Sequence, residues 1–167
     1  PNPHDLAVID FPRHSASTIA LISSKAPDVD SWVQLVGYGD NENFYDAEGA
    51  LTGSGSGKKR VGTNKVYSYD QDMLLIVGVP GTTKDVMTGT ESCSGAGDSG
   101  GPLLINSTTL VGVSYGGGIH KETAQDGSTT LNCGSYYVNL SRKENIDFLE
   151  SVLKYELKME SDPQTAR

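Results

Sequence analysis

The sequence has few cysteines and no long apolar run. Cys93 and Cys133 are the only cysteines among 167 residues, which excludes metal cages built from several thiolates. One disulfide would suit an exported protein and two free thiols a cytosolic one, so the count alone leaves the compartment open. Because no apolar stretch is long enough to cross a membrane, we expect a soluble protein.

Positive charge is also scarce. Thirteen Lys and Arg stand against 21 Asp and Glu, which gives a formal net charge of −8. An acidic surface does not attract phosphate backbones or anionic lipids, so we expect neither nucleic acid nor membrane as a partner. Beyond that, the charge indicates only a solubilising surface.

The residues that are abundant favour β structure. Twenty glycines and eight tyrosines accompany many Thr, Val and Ser residues in short runs. The polar, glycine-rich stretch from Asp40 to Thr63 predicts a long mobile surface loop, and Asn106–Thr109 predicts a hairpin turn. The apolar runs predict strands at 5–11, 17–23, 31–39, 65–71, 73–79, 102–106, 110–117 and 135–140.

One helix is predicted, at the C-terminal end. Ser141 and Glu144 match a capping box. Apolar residues then recur along one side at helical spacing, at Ile146, Leu149, Leu153 and Leu157. We therefore expect an antiparallel β domain on which this amphipathic helix docks, followed by a frayed polar tail.

The stretch SCSGAGDSGGPLL, from Ser92 to Leu104, contains a candidate nucleophile. Its glycines let the backbone turn sharply and leave amide N–H groups uncovered, so Ser99 can face a carbonyl group whose oxygen those amides receive. An ordinary Gly, Ser and Asp turn before a strand is the competing interpretation. The residues alone support the two about equally.

The order of residues along the chain tests a catalytic role for Ser99. Such a serine needs a histidine to take its proton and a carboxylate to orient the imidazole. His120 is the only histidine after Ser99, and no acid lies between them. His14 would be the sole choice for the order Asp, His, Ser, and the order His, Asp, Ser would need His4, whose neighbour Asp5 points to the opposite strand face. Either Ser99 is not catalytic, or its base comes from outside this chain.

The segment GAGDSGGPLL resembles the nucleophile segment of the chymotrypsin/trypsin-like serine peptidases, and Gly-Asp-Ser-Gly-Gly-Pro is highly specific to them. DLAVI resembles the strand with the triad aspartate, and LVGYG resembles the Gly-Trp-Gly strand that opens the second barrel, with Tyr38 in place of Trp. LVGVSYGGG resembles the strand that pairs with the substrate, and GSYYVNL the C-terminal segment. The resemblance extends from about Asp5 to Tyr155.

This resemblance implies an all-β fold, an antiparallel six-stranded Greek-key β-barrel with a C-terminal α-helix. Residues 1–14 would end the N-terminal barrel and carry the triad aspartate, 15–140 would form the C-terminal barrel, 141–157 the helix and 158–167 the tail. The family's histidine lies in the first barrel. We therefore expect it on a separate N-terminal chain, released by a proteolytic cut upstream of Pro1 in a zymogen.

The resemblance also implies the catalytic roles. Ser99 would be the nucleophile, Asp5 would orient the absent histidine, and the backbone amides of Gly97 and Ser99 would form the oxyanion hole. Asp98 matches the residue that pairs with a free α-amino group after activation, an amine that the missing chain would supply. No cofactor or metal is implied.

Six residues match substrate-binding positions of the family. Ser114, Tyr115 and Gly116 would form the peptide edge, and the other three, Glu91, Ser92 and Gly134, would line the primary pocket. Glu91 matches the acid at the pocket floor and implies a preference for Lys or Arg, although a glutamate that points to solvent is an equal alternative.

Two departures from the family's pattern concern the pocket wall. Ser94, Gly95 and Ala96 lengthen the segment between Cys93 and Gly97, and Cys133 comes late for the usual cysteine partner. We nevertheless expect Cys93 and Cys133 to pair as the pocket-flanking disulfide, given the exported context that the family implies.

The function implied is that of a secreted or periplasmic serine endopeptidase. Its partners would be the N-terminal chain, polypeptide substrates and possible protein inhibitors. The alternative is a catalytically inactive, peptidase-like binding subunit. The intact set of Asp5, Gly97, Asp98 and Ser99 favours the enzyme. We interpret His14 as a surface residue and His120 as a solvated loop residue.

Overall fold

The computed structural model of the chain describes residues 5–12, 15–16, 19–45, 51–78 and 91–153. Within these ranges it contains nine strands and one helix. The strands are β1 (Leu21–Ile22), β2 (Trp32–Gly37), β3 (Glu42–Tyr45), β4 (Leu51–Ser54), β5 (Arg60–Tyr69), β6 (Met73–Gly78), β7 (Pro102–Ile105), β8 (Thr109–Thr123) and β9 (Thr129–Asn139), and the helix is α1 (Lys143–Leu153).

Six strands close into an antiparallel barrel. Their order around the barrel is β2, β5, β6, β9, β8 and β7, and β7 pairs again with β2. Outside this ring, β1 pairs in parallel with β8, with Leu21 opposite Thr109. The predicted fold class, an antiparallel six-stranded barrel with a C-terminal helix, is confirmed.

The barrel interior is apolar because alternate residues of each strand point inward. Its core consists of Val33, Leu35, Val66, Leu74, Ile76, Leu103, Ile105, Val111 and Tyr137. Burying one Val, Leu or Ile side chain in full contributes about 1.5–3 kcal/mol. The barrel is therefore a stable support for the loops at its ends, one of which carries Ser99.

The predicted hairpin turn between β7 and β8 is present. Asn106 and Ser107 adopt φ of 52° and 61°, the left-handed backbone of a tight hairpin turn. The N–H of Thr108 donates to the carbonyl of Ile105 at 3.2 Å. The turn sets the register in which Ile105 lies opposite Thr109.

The prediction of one long loop from Asp40 to Thr63 was wrong in part. Residues of this stretch form the β3–β4 hairpin, in which Glu42 lies opposite Ser54, and β5 already begins at Arg60. Composition does not predict these strands, because their glycines and polar residues have weak strand preference. The strands form through backbone pairing. Among the described residues after β4, the connection from Gly55 to Lys59 is a loop, and it is exposed.

The predicted strand at Asp5–Phe11 is absent. The segment has no regular secondary structure, and Ile9 and Phe11 are 73% and 72% exposed. A strand needs a neighbour to take its backbone hydrogen bonds, and no strand of the described residues pairs with this segment. The expected first barrel, which would supply that neighbour, stays a prediction.

The predicted helix is present and begins at Lys143, two residues after the predicted cap Ser141. The Ser141 hydroxyl donates to Asn139 Oδ1 at 2.7 Å, and the Glu144 carboxylate accepts from Arg142 Nε at 2.8 Å. Arg142 also forms an ion pair with Asp72, and Leu157 lies outside the described residues.

In the part of the chain that the structure describes, no helix has the length and apolar character needed to cross a membrane.

Candidate active site

Ser99 stands on two successive tight turns immediately before β7. Gly97 and Gly100 flank it with φ of 92° and 81°, a backbone conformation that glycine adopts without steric cost. The N–H of Asp98 donates to Gly95 O at 3.1 Å, and that of Gly101 donates to Asp98 O at 2.9 Å. Ser99 is exposed, so these turns present its hydroxyl to solvent.

The backbone amides around Ser99 differ in whether they have an acceptor. Within the described residues, the N–H groups of Gly97 and Ser99 have no acceptor. The N–H groups of Gly95, Asp98 and Gly100 all have one. Unused amides next to a nucleophile are suitable donors for an oxyanion. The predicted oxyanion hole stays a prediction.

The carboxylate of Asp98 is held by backbone amides. Gly39 N donates to Oδ1 at 2.7 Å and Gly95 N donates to Oδ2 at 2.8 Å. A Cβ on Gly37 would lie 1.9 Å from Oδ1, and one on Gly39 would lie 2.7 Å from it. The Gly-Tyr-Gly segment therefore needs both glycines to admit this side chain, and the pairing of Asp98 with an α-amino group stays a prediction.

Strand β8 joins the nucleophile turn to the predicted peptide edge. Gly100 N donates to Ser114 O and Ser114 N donates to Gly101 O, both at 2.8 Å. The register with β9 shifts between Ser114 and Gly116, which leaves Tyr115 as an extra residue of a bulge. Beyond Ser114, β9 is the one strand of the described residues that pairs with β8, so no described strand covers the opposite edge there.

A cluster of hydroxyl groups lies under the nucleophile turn, and the sequence analysis missed it. The buried phenol of Tyr137 faces the hydroxyls of Ser94 and Ser114. Burial raises the pKa of Tyr137 above its ordinary value, the charge of Asp98 adds to the rise, and the two serine hydroxyls oppose it. Neither serine hydroxyl makes a hydrogen bond of good geometry within the described residues. In the sequence, Tyr137 looks like an ordinary strand residue, and nothing near it in the chain predicts its contacts with Ser94 and Ser114.

The predicted pocket residues surround the same loop. Glu91 is exposed, and Ser92 is partly buried against Gly62, where a Cβ would lie 2.5 Å from the Ser92 hydroxyl. Gly134 is buried, and a Cβ there would lie 3.2 Å from the Cβ of His120. These contacts describe the loop's packing, while the roles of the three residues in substrate binding stay predictions.

The predicted disulfide is present. Cys93 in the nucleophile loop is bonded to Cys133 in β9, with 6.3 Å between the Cα atoms. Ser94 N, the next amide, donates to the Ser135 hydroxyl at 2.8 Å. The loop that precedes Ser99 is thereby fixed to β9 by a covalent bond and a neighbouring hydrogen bond.

Among the described residues, no hydrogen bond joins Ser99 to Asp5 or to His120. Asp5 is exposed, and no hydrogen bond or ion pair links it to another described residue. His4 and His14 lie outside the described residues. The role of Asp5 stays a prediction.

The prediction that His120 is a solvated loop residue was wrong. It lies in β8 with 19% of its side chain exposed, and its Nε2 is 3.6 Å from Glu122 Oε1. Its ring packs edge-on against Tyr67, with 5.2 Å between centroids. A hydrogen bond to Glu122 raises the pKa of Tyr67. The prediction failed because β8 continues through the three glycines that precede His120.

The comparison with known protein families agrees with this geometry. The family model for Trypsin matches residues 5–137, a range that includes Asp5, the Ser99 turns, the disulfide and the open edge of β8. No curated protein sequence matches the chain. The fold, the nucleophile turns and the family match together show that this chain belongs to the trypsin family.

Proposed function

We propose that this chain is the C-terminal part of a secreted serine endopeptidase whose catalytic histidine is supplied by an N-terminal chain. The observation that carries the proposal is the exposed Ser99, placed by two tight turns next to the amides of Gly97 and Ser99, which have no acceptor among the described residues. The hydroxyl and these donors match the two requirements of acyl transfer, a nucleophile and a site for the developing negative charge.

In the proposed reaction, Ser99 Oγ forms a bond to the scissile carbonyl carbon while the histidine of the partner chain takes its proton. The amides of Gly97 and Ser99 stabilise the oxyanion, and loss of one such donor costs about 10²–10³ in kcat. The C–N bond then breaks, and the amine leaves with the proton. Water hydrolyses the acyl-enzyme by the same steps, with Asp5 orienting the imidazole.

The open edge of β8 supports a polypeptide substrate. A substrate in extended conformation can add as a strand to an unpaired sheet edge, where backbone hydrogen bonds give affinity. Ser114 fixes the start of that edge next to the Ser99 turn, and Tyr115 and Gly116 follow. A Cβ on Gly116 would meet no atom within 4 Å, so the backbone there can be approached closely.

The proposed location outside the cytosol is supported by the disulfide. Cys93–Cys133 joins the nucleophile loop to β9, and such bonds persist in oxidising compartments such as the extracellular space and the bacterial periplasm. The trypsin-family match agrees with this location.

Hydrolysis of an unfolded protein substrate tests the proposed function. The enzyme is produced from its complete gene, so that any N-terminal chain is present, and is compared with Ser99→Ala and with Ser107→Ala, a serine in the exposed β7–β8 turn. We expect cleavage by the wild type and by Ser107→Ala and a loss of at least 10³-fold in Ser99→Ala. A folded wild type that binds the substrate without cleaving it would instead identify an inactive binding subunit.

A further inference from the structure

The segment Gly37–Asp40, here called the Asp98-binding turn, has its backbone polar groups fully engaged around Gly39. The N–H of Gly39 donates to Asp98 Oδ1 at 2.7 Å, and the N–H of Asp40 donates to Ala96 O at 2.9 Å. These two bonds face the loop that carries Ser99. The orientation of the Gly39 peptides therefore determines where Asp98 is held.

The carbonyl groups of the same two peptides face the connection between β4 and β5. Tyr38 O accepts from Gly57 N at 2.7 Å, and Gly39 O accepts from Arg60 Nη1 at 3.3 Å. Arg60 Nη1 also donates to Lys58 O at 3.3 Å. The connection and the Asp98-binding turn are thus joined by a guanidinium group and one backbone hydrogen bond.

Arg60 is placed for this contact by the barrel. It is the first residue of β5 and lies opposite Gly37 in the β2–β5 ladder, and it is partly buried. Within the described residues, Arg60 forms no ion pair with a carboxylate, so its hydrogen bonds go to backbone carbonyls. A planar guanidinium holds two carbonyl groups in fixed directions, whereas an ammonium acts as a point charge.

We propose that Arg60 is a positioning residue for the nucleophile turn. By binding the carbonyl of Gly39 it fixes the peptide pair whose amides hold Asp98 and Ala96, and Asp98 directly precedes Ser99. The inference rests on the proposed peptidase function for its effect on activity. Its structural part, the bracing of Asp98 through Gly39, does not depend on that function.

Hydrogen exchange of single backbone amides tests the structural part on the folded protein. In Arg60→Ala we expect the Gly39 amide to exchange at least tenfold faster, because the next peptide, which contains the Gly39 carbonyl and the Asp40 N–H, loses a charge-assisted hydrogen bond and no longer fixes Gly39. The amide of Val138 in β9 should keep its rate. Arg60→Lys should give an intermediate rate at Gly39, and Lys59→Ala, a change of the exposed neighbouring cation, should have no effect.

Kinetics of the complete enzyme test the effect on activity. We expect Arg60→Ala to lower kcat roughly tenfold with KM changed less than twofold, because the peptide edge of β8 is untouched. Arg60→Lys should recover part of kcat, and Lys59→Ala should keep the wild-type value.

Two results would overturn the proposal. One is an unchanged Gly39 rate in Arg60→Ala. The other is equal acceleration at Gly39 and Val138, which means general destabilisation. If Arg60→Ala does not fold, the test uses Arg60→Lys instead. An unchanged exchange rate of the Gly39 amide in Arg60→Lys would then contradict the proposal. A wild type without peptidase activity would refute the proposed function. The exchange rates would still test whether Arg60 positions Asp98 through Gly39.

Discussion

The pH response of single side chains provides the first test at the residue scale. Tyr137 is almost fully buried beside Ser94, Ser114 and the charge of Asp98, and burial raises the pKa of its phenol. An unfolded chain releases the phenolic proton near its ordinary pKa of 10.0, where the folded chain still holds it. The buried neutral phenol therefore stabilises the folded chain in full below pH 10. This contribution to the free energy of unfolding is lost as the pH rises above 10.

We predict that the free energy of unfolding falls above about pH 10 with a contribution of up to ~1.4 kcal/mol per pH unit from this one proton. Tyr137→Phe should remove that contribution, and Tyr69→Phe, a change of an exposed tyrosine, should leave it. Urea unfolding between pH 8 and 11.5 measures both. Identical slopes in Tyr137→Phe and wild type would show that the phenol is not held neutral in the fold.

Glu91 is the second residue-scale test. Its side chain is exposed, and exposed ion pairs contribute about 1 kcal/mol at most. We therefore predict that Glu91→Gln lowers kcat/KM for a substrate with Arg before the scissile bond by no more than about fivefold, and leaves a Phe substrate unchanged. Paired assays on both substrates measure this. An equal effect on both would mean that Glu91 does not contact the substrate side chain.

Single elements of the fold differ in how far local sequence determines them. Strands β6 and β7 were predicted to within one residue at either end, because their apolar runs are bounded by turn residues. Strand β8 runs to Thr123, beyond the predicted end at 117, because Gly116–Gly118 have weak strand preference and take their order from β9. The β3–β4 hairpin was missed because Glu42 and Asn43 in β3 and Gly53 and Ser54 in β4 have weak strand preference.

The β7–β8 turn gives the element-scale prediction. Ser107 has a φ of 61°, which costs a non-glycine residue about 1 kcal/mol. Part of the gain from glycine is lost to its greater freedom in the unfolded chain. We predict that Ser107→Gly raises the free energy of unfolding by about 0.5 kcal/mol, measured in urea, whereas Thr108→Gly lowers it. Destabilisation by Ser107→Gly would contradict the left-handed turn.

At the scale of the whole molecule, the exposed N-terminal segment is the place where the proposed N-terminal chain would pack. Ile9 and Phe11 face solvent, in a segment that the family model includes. The motif around Ser99 predicted the family and the barrel. It could not predict the contacts between Gly39, Arg60 and Asp98, because these join residues far apart in the chain through backbone atoms, which no side-chain pattern encodes.

We predict that residues 5–12 exchange their amide hydrogens within seconds in this chain alone and become at least tenfold slower in the complete enzyme. The reason is that the first barrel would supply acceptors for the amides of this segment, which donate no hydrogen bond within the described residues. Hydrogen exchange read by mass spectrometry of peptides compares the two preparations, with a β9 peptide as the internal control. Equal rates for 5–12 in both would contradict a first barrel on that segment.

The central claim is that Ser99 is an activated nucleophile, and labelling of the complete enzyme with a serine-directed phosphonate tests it most directly. Such a reagent forms a bond to Oγ only where a base assists the hydroxyl. The account predicts one phosphonyl group on this chain by intact mass, located on the Ser99 peptide and absent in Ser99→Ala. A folded enzyme with all its chains that remains unlabelled, or one labelled at another serine, would contradict it.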